Sequence, residues 1–310
     1  IKTSSPHSSL QHSPPSSPPI ILTNIVTYQP TGLPNIGNTC YLNAVLQCIL
    51  KCHDLYNILT YNGFDNNNIV SSLATLAPNS IGEIKDMLSA LDPFFNTSVQ
   101  QDAHEALIKL LNIIHKSTSF NPLGDISFSQ PNSQLFTSNI KENFYGSFHS
   151  KFVCCTCLLE TQFTEDFVDL VIDCCGEVKN GLISLLKDEV DRFCNNCNAN
   201  TKHHIIKKIW QQPNICILRM NRFKQLRSGR VHKDSSTILC NDKLDIPDFK
   251  AKLISVIFHK GVTKDSGHYI SVIRSAEKWY ECNDHKIRSI DFTEFCCSKE
   301  VYILFYHKLD

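Results

Sequence analysis

One cysteine of this sequence lies where its thiol could act as a nucleophile. Cys40 directly follows the turn-forming residues Gly37-Asn38-Thr39 and directly precedes a run with apolar residues at helical spacing. The apolar positions of that run are Leu42, Val45, Leu46, Ile49 and Leu50. Cys40 is therefore predicted at the first turn of a helix, where free backbone N–H groups and the helix dipole favour a thiolate. The alternative is a buried structural cysteine at a helix start.

A histidine and a polar pair near the C-terminus could serve such a nucleophile. His268 opens the strand-like run 269–273, and Asn283-Asp284 ends a second short run that contains aromatic residues. Neighbours on a strand point to opposite faces, so only one of the pair can hold the His268 imidazole in one tautomer. The order Cys, His, Asn/Asp is papain-like, although Cys40 and His268 are further apart than the roughly 130–150 residues expected of papain.

Three further polar residues are candidates for binding or catalysis. The Asn35 carboxamide, five positions before Cys40, could donate to a developing oxyanion, or Asn35 could simply form a turn. Asp102 and Glu105 are three residues apart on a predicted helix and so share a face. Two acids on one face indicate either a solvated surface or a site for a basic ligand.

Two C-x-x-C pairs have the spacing of zinc ligands. Cys154 and Cys157 form one pair, and Cys194 and Cys197 form the other. Together they offer the four thiolates of a tetrahedral structural zinc site. The gap between the pairs is longer than the ~15–20 residues of a compact zinc ribbon, so each pair is predicted on its own hairpin turn. The alternative is a set of unliganded cysteines.

Composition narrows the class of protein. The chain has 310 residues, 42% of them hydrophobic, and a formal net charge of zero. It has no long apolar run of transmembrane type, we expect no signal peptide, and its charge predicts neither a nucleic-acid nor a membrane partner. Its 15 cysteines are then predicted to be reduced thiols, metal ligands and a nucleophile, in a cytoplasmic or nuclear protein.

The chain divides into a short tail and one domain. Residues 1–29 are rich in Ser and Pro and are predicted to be a disordered tail, whose proline run 14–19 is either a ligand for a partner domain or a plain linker. Residues 30–310 are predicted to be one catalytic domain. Helical patterns precede about residue 116 and strand patterns dominate after about residue 126, which indicates an α+β fold.

Five segments, in this order, resemble the motifs of the ubiquitin-specific protease family, a class of cysteine deubiquitinases. The cysteine box reads Gly32-Leu-Pro-Asn35-Ile-Gly37-Asn-Thr-Cys40-Tyr-Leu-Asn43-Ala-Val-Leu-Gln47. The other matching segments are 100–107, 213–223, 267–284 and 301–306. Two positions depart from the family pattern, with Ala106 in place of Phe and Asn221 in place of Lys.

The resemblance implies a papain-like cysteine protease core with a helical thumb, a β-rich palm and zinc-bearing β fingers. It implies hydrolysis of the bond after the C-terminal glycine of ubiquitin, whether isopeptide or peptide, through an acyl-enzyme on Cys40. It also implies one structural zinc and no cofactor for catalysis. Ubiquitin and ubiquitinated proteins are the implied partners.

The resemblance also implies a role for each site residue. His268 is the base and Asn283 orients it, while Asn35 and Asp284 serve the oxyanion site. The implied substrate-binding residues are Asp102 and Glu105, which meet the arginines of the ubiquitin tail, together with Gln101, Gly267 and Tyr269. Two hypotheses of other classes are an inactive ubiquitin-binding scaffold and a zinc-dependent interaction module.

Overall fold

The computed structural model describes residues 28–52, 69–96, 98–118, 139–225, 229, 231–263 and 266–309. The predicted tail therefore lies outside the described residues except for Tyr28 and Gln29, and so does the proline run 14–19. No helix within the described ranges is long and apolar enough to span a bilayer.

The helices lie mostly in the first half of the chain. They are α1 Cys40–Lys51, α2 Ile69–Ala74, α3 Ile81–Leu91, α4 Ala103–Thr118, α5 Asn139–Phe144, α6 Val178–Leu185 and α7 Phe292–Phe295, with short 3-10 turns at Pro78–Ser80 and Pro93–Phe95. Every residue of α1 is buried, because α1 packs against both the main sheet and α4. The helix predicted to start at Cys40 is thereby confirmed.

The strands form two larger sheets and two short pairs. The strands are β1 Gly146–Cys154, β2 Glu160–Phe167, β3 Asp169–Ile172, β4 Lys187–Cys194, β5 Ala199–Gln211, β6 Ile215–Met220, β7 Phe223–Gln225, β8 Val231–Lys233, β9 Ile238–Leu239, β10 Lys243–Ile246, β11 Phe249–Thr263, β12 Ser266–Ser275, β13 Lys278–Asn283, β14 Lys286–Ile290, β15 Cys297–Ser298 and β16 Val301–Lys308. The pairs β7–β8 and β9–β15 stand apart from the larger sheets.

The main sheet carries the core on both faces. Its order is β14-β13-β12-β11-β16-β6-β3, with β10 added on β11, and its ladders are antiparallel except β3–β6. Alternate residues of β6 enter different clusters, Ile215 and Ile217 packing with α1 and α4, and Leu218 and Met220 packing on the opposite side. The longer helices α1 and α4 pack on one face of this largely antiparallel sheet and the short α6 and α7 on the other, which confirms the predicted α+β class.

The second sheet is a separate four-stranded extension. Its order is β2-β1-β5-β4, with antiparallel pairing throughout. The turn between β1 and β2 carries Cys157, and the turn between β4 and β5 carries Cys197. Cys154 and Cys194 are the last residues of β1 and β4, so each C-x-x-C pair lies on its own hairpin, as predicted.

Candidate active site

Cys40 is the first residue of α1 and follows a tight turn. Gly37 and Asn38 both have left-handed backbone, with φ of 103° and 55°. The Asn35 Oδ1 atom stabilises this turn by accepting from the backbone N–H groups of Gly37 and Thr39 at 3.2 and 3.1 Å. The turn leads directly into the helix and so places the Cys40 thiol at its N-terminal end.

The environment of Cys40 differs in one respect from the expectation. Backbone N–H groups of Tyr269, Tyr41 and Cys40 itself do favour the thiolate, as predicted for a helix N-terminus. Burial is the larger effect, because Cys40 is only 3% exposed, and the nearby Asp284 charge acts in the same direction. The pKa of Cys40 is therefore raised above its ordinary value in the unliganded protein.

His268 lies near the start of β12 and is held by Asn283 at the end of β13. The His268 Nε2 atom is 2.7 Å from Asn283 Oδ1. Because a carboxamide oxygen can only accept, Nε2 carries the proton and Nδ1 keeps its lone pair. The next residue, Tyr269, donates its backbone N–H to the Cys40 sulfur, so the histidine strand lies against the nucleophile.

Asp284 has different partners from its neighbour Asn283. Its φ is 50°, so it occupies a turn after β13 rather than continuing the strand. The Asp284 carboxylate accepts from Asn43 Nδ2 at 2.8 Å and from Asn35 Nδ2 at 3.1 Å. The Asp284 side chain therefore orients the exposed Asn35 carboxamide, whereas its neighbour Asn283 bonds His268.

Gln100 is a residue of this site that the sequence analysis did not name. Its Oε1 accepts from the Gly267 backbone N–H at 3.0 Å, and its Nε2 is 4.0 Å from the Cys40 sulfur. Gln101, which was named, is half-buried beside it. The available signal was the position of Gln100 as the first residue of the motif 100–107.

Asp102 caps helix α4. Its Oδ1 accepts from the backbone N–H groups of His104 and Glu105 at 2.8 and 3.0 Å, and its Oδ2 accepts from the Tyr302 hydroxyl at 2.7 Å. Burial and the Asp102 charge raise the pKa of Tyr302 far above its usual range. Both carboxylate oxygens thus have partners within the fold, whereas Glu105 is exposed.

A cleft of about 600 Å³ lies between α4 and the strands β6 and β16, and its lining includes Asp102, Glu105, Arg219 and Tyr302. His104 and Arg219 face each other across Asp169, whose carboxylate is 2.9 Å from His104 Nε2 and 3.4 Å from Arg219 Nε. These contacts join α4 to β3 and β6. Glu105 is the acid of this cleft that is free to face solvent.

Tyr269 and Gly267, the two remaining predicted substrate-binding residues, offer only backbone groups to a ligand. The Tyr269 ring is buried and packs on the His259 ring at 4.7 Å between centroids. Gly267 has a φ of 152°, and a Cβ there would lie 2.6 Å from the Lys260 carbonyl oxygen. Any contact that these residues make with a ligand must therefore come from the backbone.

The four predicted metal ligands converge at the tip of the four-stranded sheet. The sulfur atoms of Cys154, Cys157, Cys194 and Cys197 all lie within 4.8 Å of one another. The Cys154–Cys197 and Cys157–Cys194 distances are 3.8 and 3.6 Å. Sulfurs bound to one tetrahedral zinc at ~2.3 Å are about 3.8 Å apart, so the cluster fits such an ion.

The sequence profile of the ubiquitin carboxyl-terminal hydrolase family matches residues 31–306. The chain belongs to this family. Ubiquitin carboxyl-terminal hydrolase 12 of Salmo salar is 29% identical over 338 residues, which cover 90% of this chain and 90% of that protein. Ubiquitin carboxyl-terminal hydrolase 25 of Arabidopsis thaliana is 28% identical over 90% of this chain.

The family member described here spans only part of several relatives. It covers 47% of the length of hydrolase 25 and 31% of the length of hydrolase 16 of Arabidopsis thaliana. Its fold is similar to that of a chain in the SAGA Ubp8/Sgf11/Sus1/Sgf73 DUB module bound to ubiquitin aldehyde, with a TM-score of 0.73 at 23% identity. That alignment covers 90% of this chain and 70% of the other, which confirms the predicted fold.

Proposed function

We propose that this family member is a thiol-dependent deubiquitinase that hydrolyses the bond after the C-terminal glycine of ubiquitin. The observation that carries the proposal is the placement of Cys40 at the N-terminus of α1 against the strand that bears His268, with Asn283 holding that histidine. Family membership supplies the substrate class, because the matching profile is that of ubiquitin carboxyl-terminal hydrolases.

The proposed reaction proceeds through an acyl-enzyme. His268 Nδ1 takes the Cys40 proton, and the Cys40 sulfur forms a bond to the carbonyl carbon of the terminal glycine. The scissile C–N bond then breaks, and His268 gives its proton to the leaving amine. A water molecule, deprotonated by His268, attacks the thioester. The S–C bond breaks, His268 returns the proton to the Cys40 sulfur, and ubiquitin leaves with a free carboxylate after losing its acid proton to solvent.

In the unliganded protein the pKa of Cys40 is raised, which favours a neutral thiol as the starting state. Because burial and Asp284 both raise this pKa, proton transfer to His268 is needed at the time of attack. The hydrogen bond from Nε2 to Asn283 keeps Nδ1 available as the acceptor throughout. The neutral Asn283 then orients the imidazolium without adding a charge.

The oxyanion is proposed to form beside Asn35. One N–H of the Asn35 carboxamide donates to Asp284 and the second remains for the substrate, because a carboxamide nitrogen has two protons. The backbone N–H groups of the first turn of α1 are proposed to add to the stabilisation. Asp284 acts here as a positioning residue.

The tail of ubiquitin is proposed to lie in the cleft beside α4. Glu105 is exposed there and offers a carboxylate to a basic tail residue. Asp102 contributes negative charge to the same cleft, but its oxygens are already occupied by the helix cap and by Tyr302. Glu105 is therefore the stronger candidate for direct contact.

We further infer that the four-cysteine cluster holds one structural zinc. Cys154, Cys157, Cys194 and Cys197 would be its ligands, and a closed set of four thiolates leaves no position for a substrate. The ion would join the β1–β2 and β4–β5 hairpins. No step of hydrolysis involves it.

A ubiquitin derivative with a C-terminal electrophile tests the proposed function. When the electrophile is a Michael acceptor, which adds the thiol across its double bond without a leaving group, the wild-type chain is expected to form a covalent adduct at Cys40 whose mass equals the sum of both partners. Cys40→Ala forms none and still binds ubiquitin. An inactive binding scaffold would bind ubiquitin without forming the adduct, and that result would refute the proposal. An adduct on another cysteine would refute the role of Cys40.

A further inference from the structure

We propose that the Gln100 side chain is a gate over the Cys40 thiol, closed in the unliganded protein. The inference rests on the proposed function only in that the gate would open for the substrate tail. Gln100 bridges the two sides of the active site, since its Oε1 accepts from Gly267 on β12 and its Nε2 lies 4.0 Å from the Cys40 sulfur.

The position of this bridge explains why the nucleophile is covered. Cys40 is 3% exposed, yet a nucleophile must be reached by a carbonyl carbon. The Gln100 amide nitrogen lies 4.0 Å from the sulfur, and the backbone N–H of Tyr269, on β12, donates to the same sulfur. Backbone atoms of β12 are held in the sheet, so Gln100 is the group that can move away.

The segment that carries Gln100 is fastened at both ends. The Ser98 carbonyl accepts from Asn38 Nδ2 at 2.7 Å, and Asp102 caps α4 and accepts from Tyr302. Gln100 lies between these anchors and is half-buried. Opening therefore requires rotation of one side chain rather than displacement of the loop, which is a small and fast motion.

The hydrogen bond from the Gly267 N–H to Gln100 Oε1, here called the latch, holds the gate closed from the side of β12. Gly267 packs so closely on β11 that a Cβ would lie 2.6 Å from the Lys260 carbonyl oxygen and 2.7 Å from His259 Nε2. Its N–H therefore has a fixed direction, and the 3.0 Å bond from it to Gln100 Oε1 sets the closed rotamer. When the gate opens, this N–H becomes available to a carbonyl of the incoming tail.

Alkylation of Cys40 by iodoacetamide tests the gate without ubiquitin. The sulfur displaces iodide, its proton passes to solvent, and peptide mapping by mass spectrometry gives the rate at Cys40 alone. Gln100→Ala is expected to react about tenfold faster than wild type, as for a closed state that opens about a tenth of the time. Gln211→Ala, at an exposed glutamine that ends β5 on the second sheet, is the matched control and should react at the wild-type rate.

Two further measurements separate a gate from other roles. Gln100→Met keeps the length of the side chain but loses the bond to Gly267, so it should also react faster; a rate equal to wild type would overturn the latch. The pH dependence of alkylation should keep its midpoint in Gln100→Ala while its plateau rises. A midpoint shifted upward with an unchanged plateau would instead make Gln100 a stabiliser of the thiolate and overturn the gate.

The buried Cys216 serves as an internal reference for folding. Its labelling should stay slow in all variants, so faster labelling of both cysteines in Gln100→Ala would mean local unfolding and would count against the gate. Because no step uses ubiquitin, failure of this test leaves the ubiquitin-electrophile result intact. Conversely, an inactive protein could still show a gated Cys40.

Discussion

The His268 Nε2 atom and the Asn283 Oδ1 atom are 2.7 Å apart, a hydrogen bond between the beginning of β12 and the end of β13. The register of the two strands makes this bond possible. Ser271 pairs with Cys282, so Asn283 lies opposite the residue before Ser271, which is two positions from His268 and therefore on the same face of β12. Asp284 turns away from this face and bonds Asn35 and Asn43.

This division of partners predicts different effects for substitutions at the two neighbours. Asn283→Ala is expected to lower kcat about a hundredfold, because the imidazole loses its fixed tautomer. Asn283→Asp, which still accepts from Nε2, should lose less than about tenfold. Asp284→Ala should lower kcat about tenfold through the orientation of Asn35.

Steady-state rates with a fluorogenic ubiquitin substrate, measured across pH, distinguish the two roles. Asp284→Ala should reduce the height of the pH profile without moving the limb that reports His268. If Asn283→Ala matched wild type while Asp284→Ala moved that limb, the assignment of the two residues would have to be exchanged.

The order of elements was predictable where one periodicity dominates. The spacing of apolar residues after Cys40 specifies α1. The strand-like run 269–273 lies within β12, and the short run that leads to Asn283 forms β13. The C-x-x-C pairs required convergence of two hairpins, and the sulfurs do converge. These features were predictable because they depend on local sequence patterns and on the four ligands that one tetrahedral zinc requires.

Helix α6 shows why another element was missed. Gly181 lies in the middle of Val178–Leu185 and lowers the helical propensity of a short segment. A Cβ at this position would lie 3.0 Å from the Asp173 carbonyl oxygen, so the glycine permits close packing of the helix on the chain before it. Packing against the rest of the fold therefore stabilises this helix, and such packing cannot be predicted from the local sequence pattern.

Asp102 and Cys40 show the same limit at the site. Asp102 followed by Glu105 three residues later is a helix-start signal, and the sequence analysis interpreted the pair only as two acids on one face. The net rise in the pKa of Cys40 depends on burial by distant strands, which no local motif encodes. Gln100 likewise gains its role from Gly267, far along the chain.

The exposed position of Glu105 predicts a specific effect of charge reversal. Glu105→Arg should raise KM for ubiquitin substrates roughly fivefold, the equivalent of about 1 kcal/mol for a solvent-exposed charge-assisted contact. A minimal Gly-Gly ester without basic residues should be affected less. Kinetics on both substrates measure the difference.

A matched control for this prediction is Glu142→Arg, the same charge change at an exposed position in α5. It should leave KM for ubiquitin substrates near the wild-type value. Equal losses of Glu105→Arg on both substrates would show that Glu105 supports the fold rather than the tail.

The cysteine cluster predicts one zinc per chain. Cys194→Ser should abolish stoichiometric zinc in the freshly purified protein and lower its melting temperature, because one ligand of a closed site is lost. Cys155→Ser, at an exposed thiol in the same hairpin turn as Cys157, should retain the metal. Elemental analysis checks both variants, and absence of zinc from the wild-type protein would refute the assignment.

The buried His259 predicts a dependence of stability on pH. Burial and the neighbouring Lys233 lower the pKa of His259 to about 4, although Asp102, Glu300 and the Ser266 backbone act in the opposite direction. Its ring packs against the rings of Phe223, Tyr269 and Tyr302. The folded protein therefore keeps this imidazole neutral.

The sign of the effect follows from proton binding. Between the ordinary pKa of 6.5 and the folded value of about 4, the unfolded chain binds the proton and the folded chain does not, so His259 lowers stability as pH falls through this range. The loss of folding free energy reaches about 3 kcal/mol at the acid end of this range.

His259→Phe keeps an aromatic ring and should therefore unfold at a higher temperature than wild type near pH 5, while differing little near about pH 7.5. Thermal unfolding followed by circular dichroism at both pH values measures this, with the exposed His232→Gln as control. Parallel pH dependences of His259→Phe and wild type would show that His259 is not the group responsible.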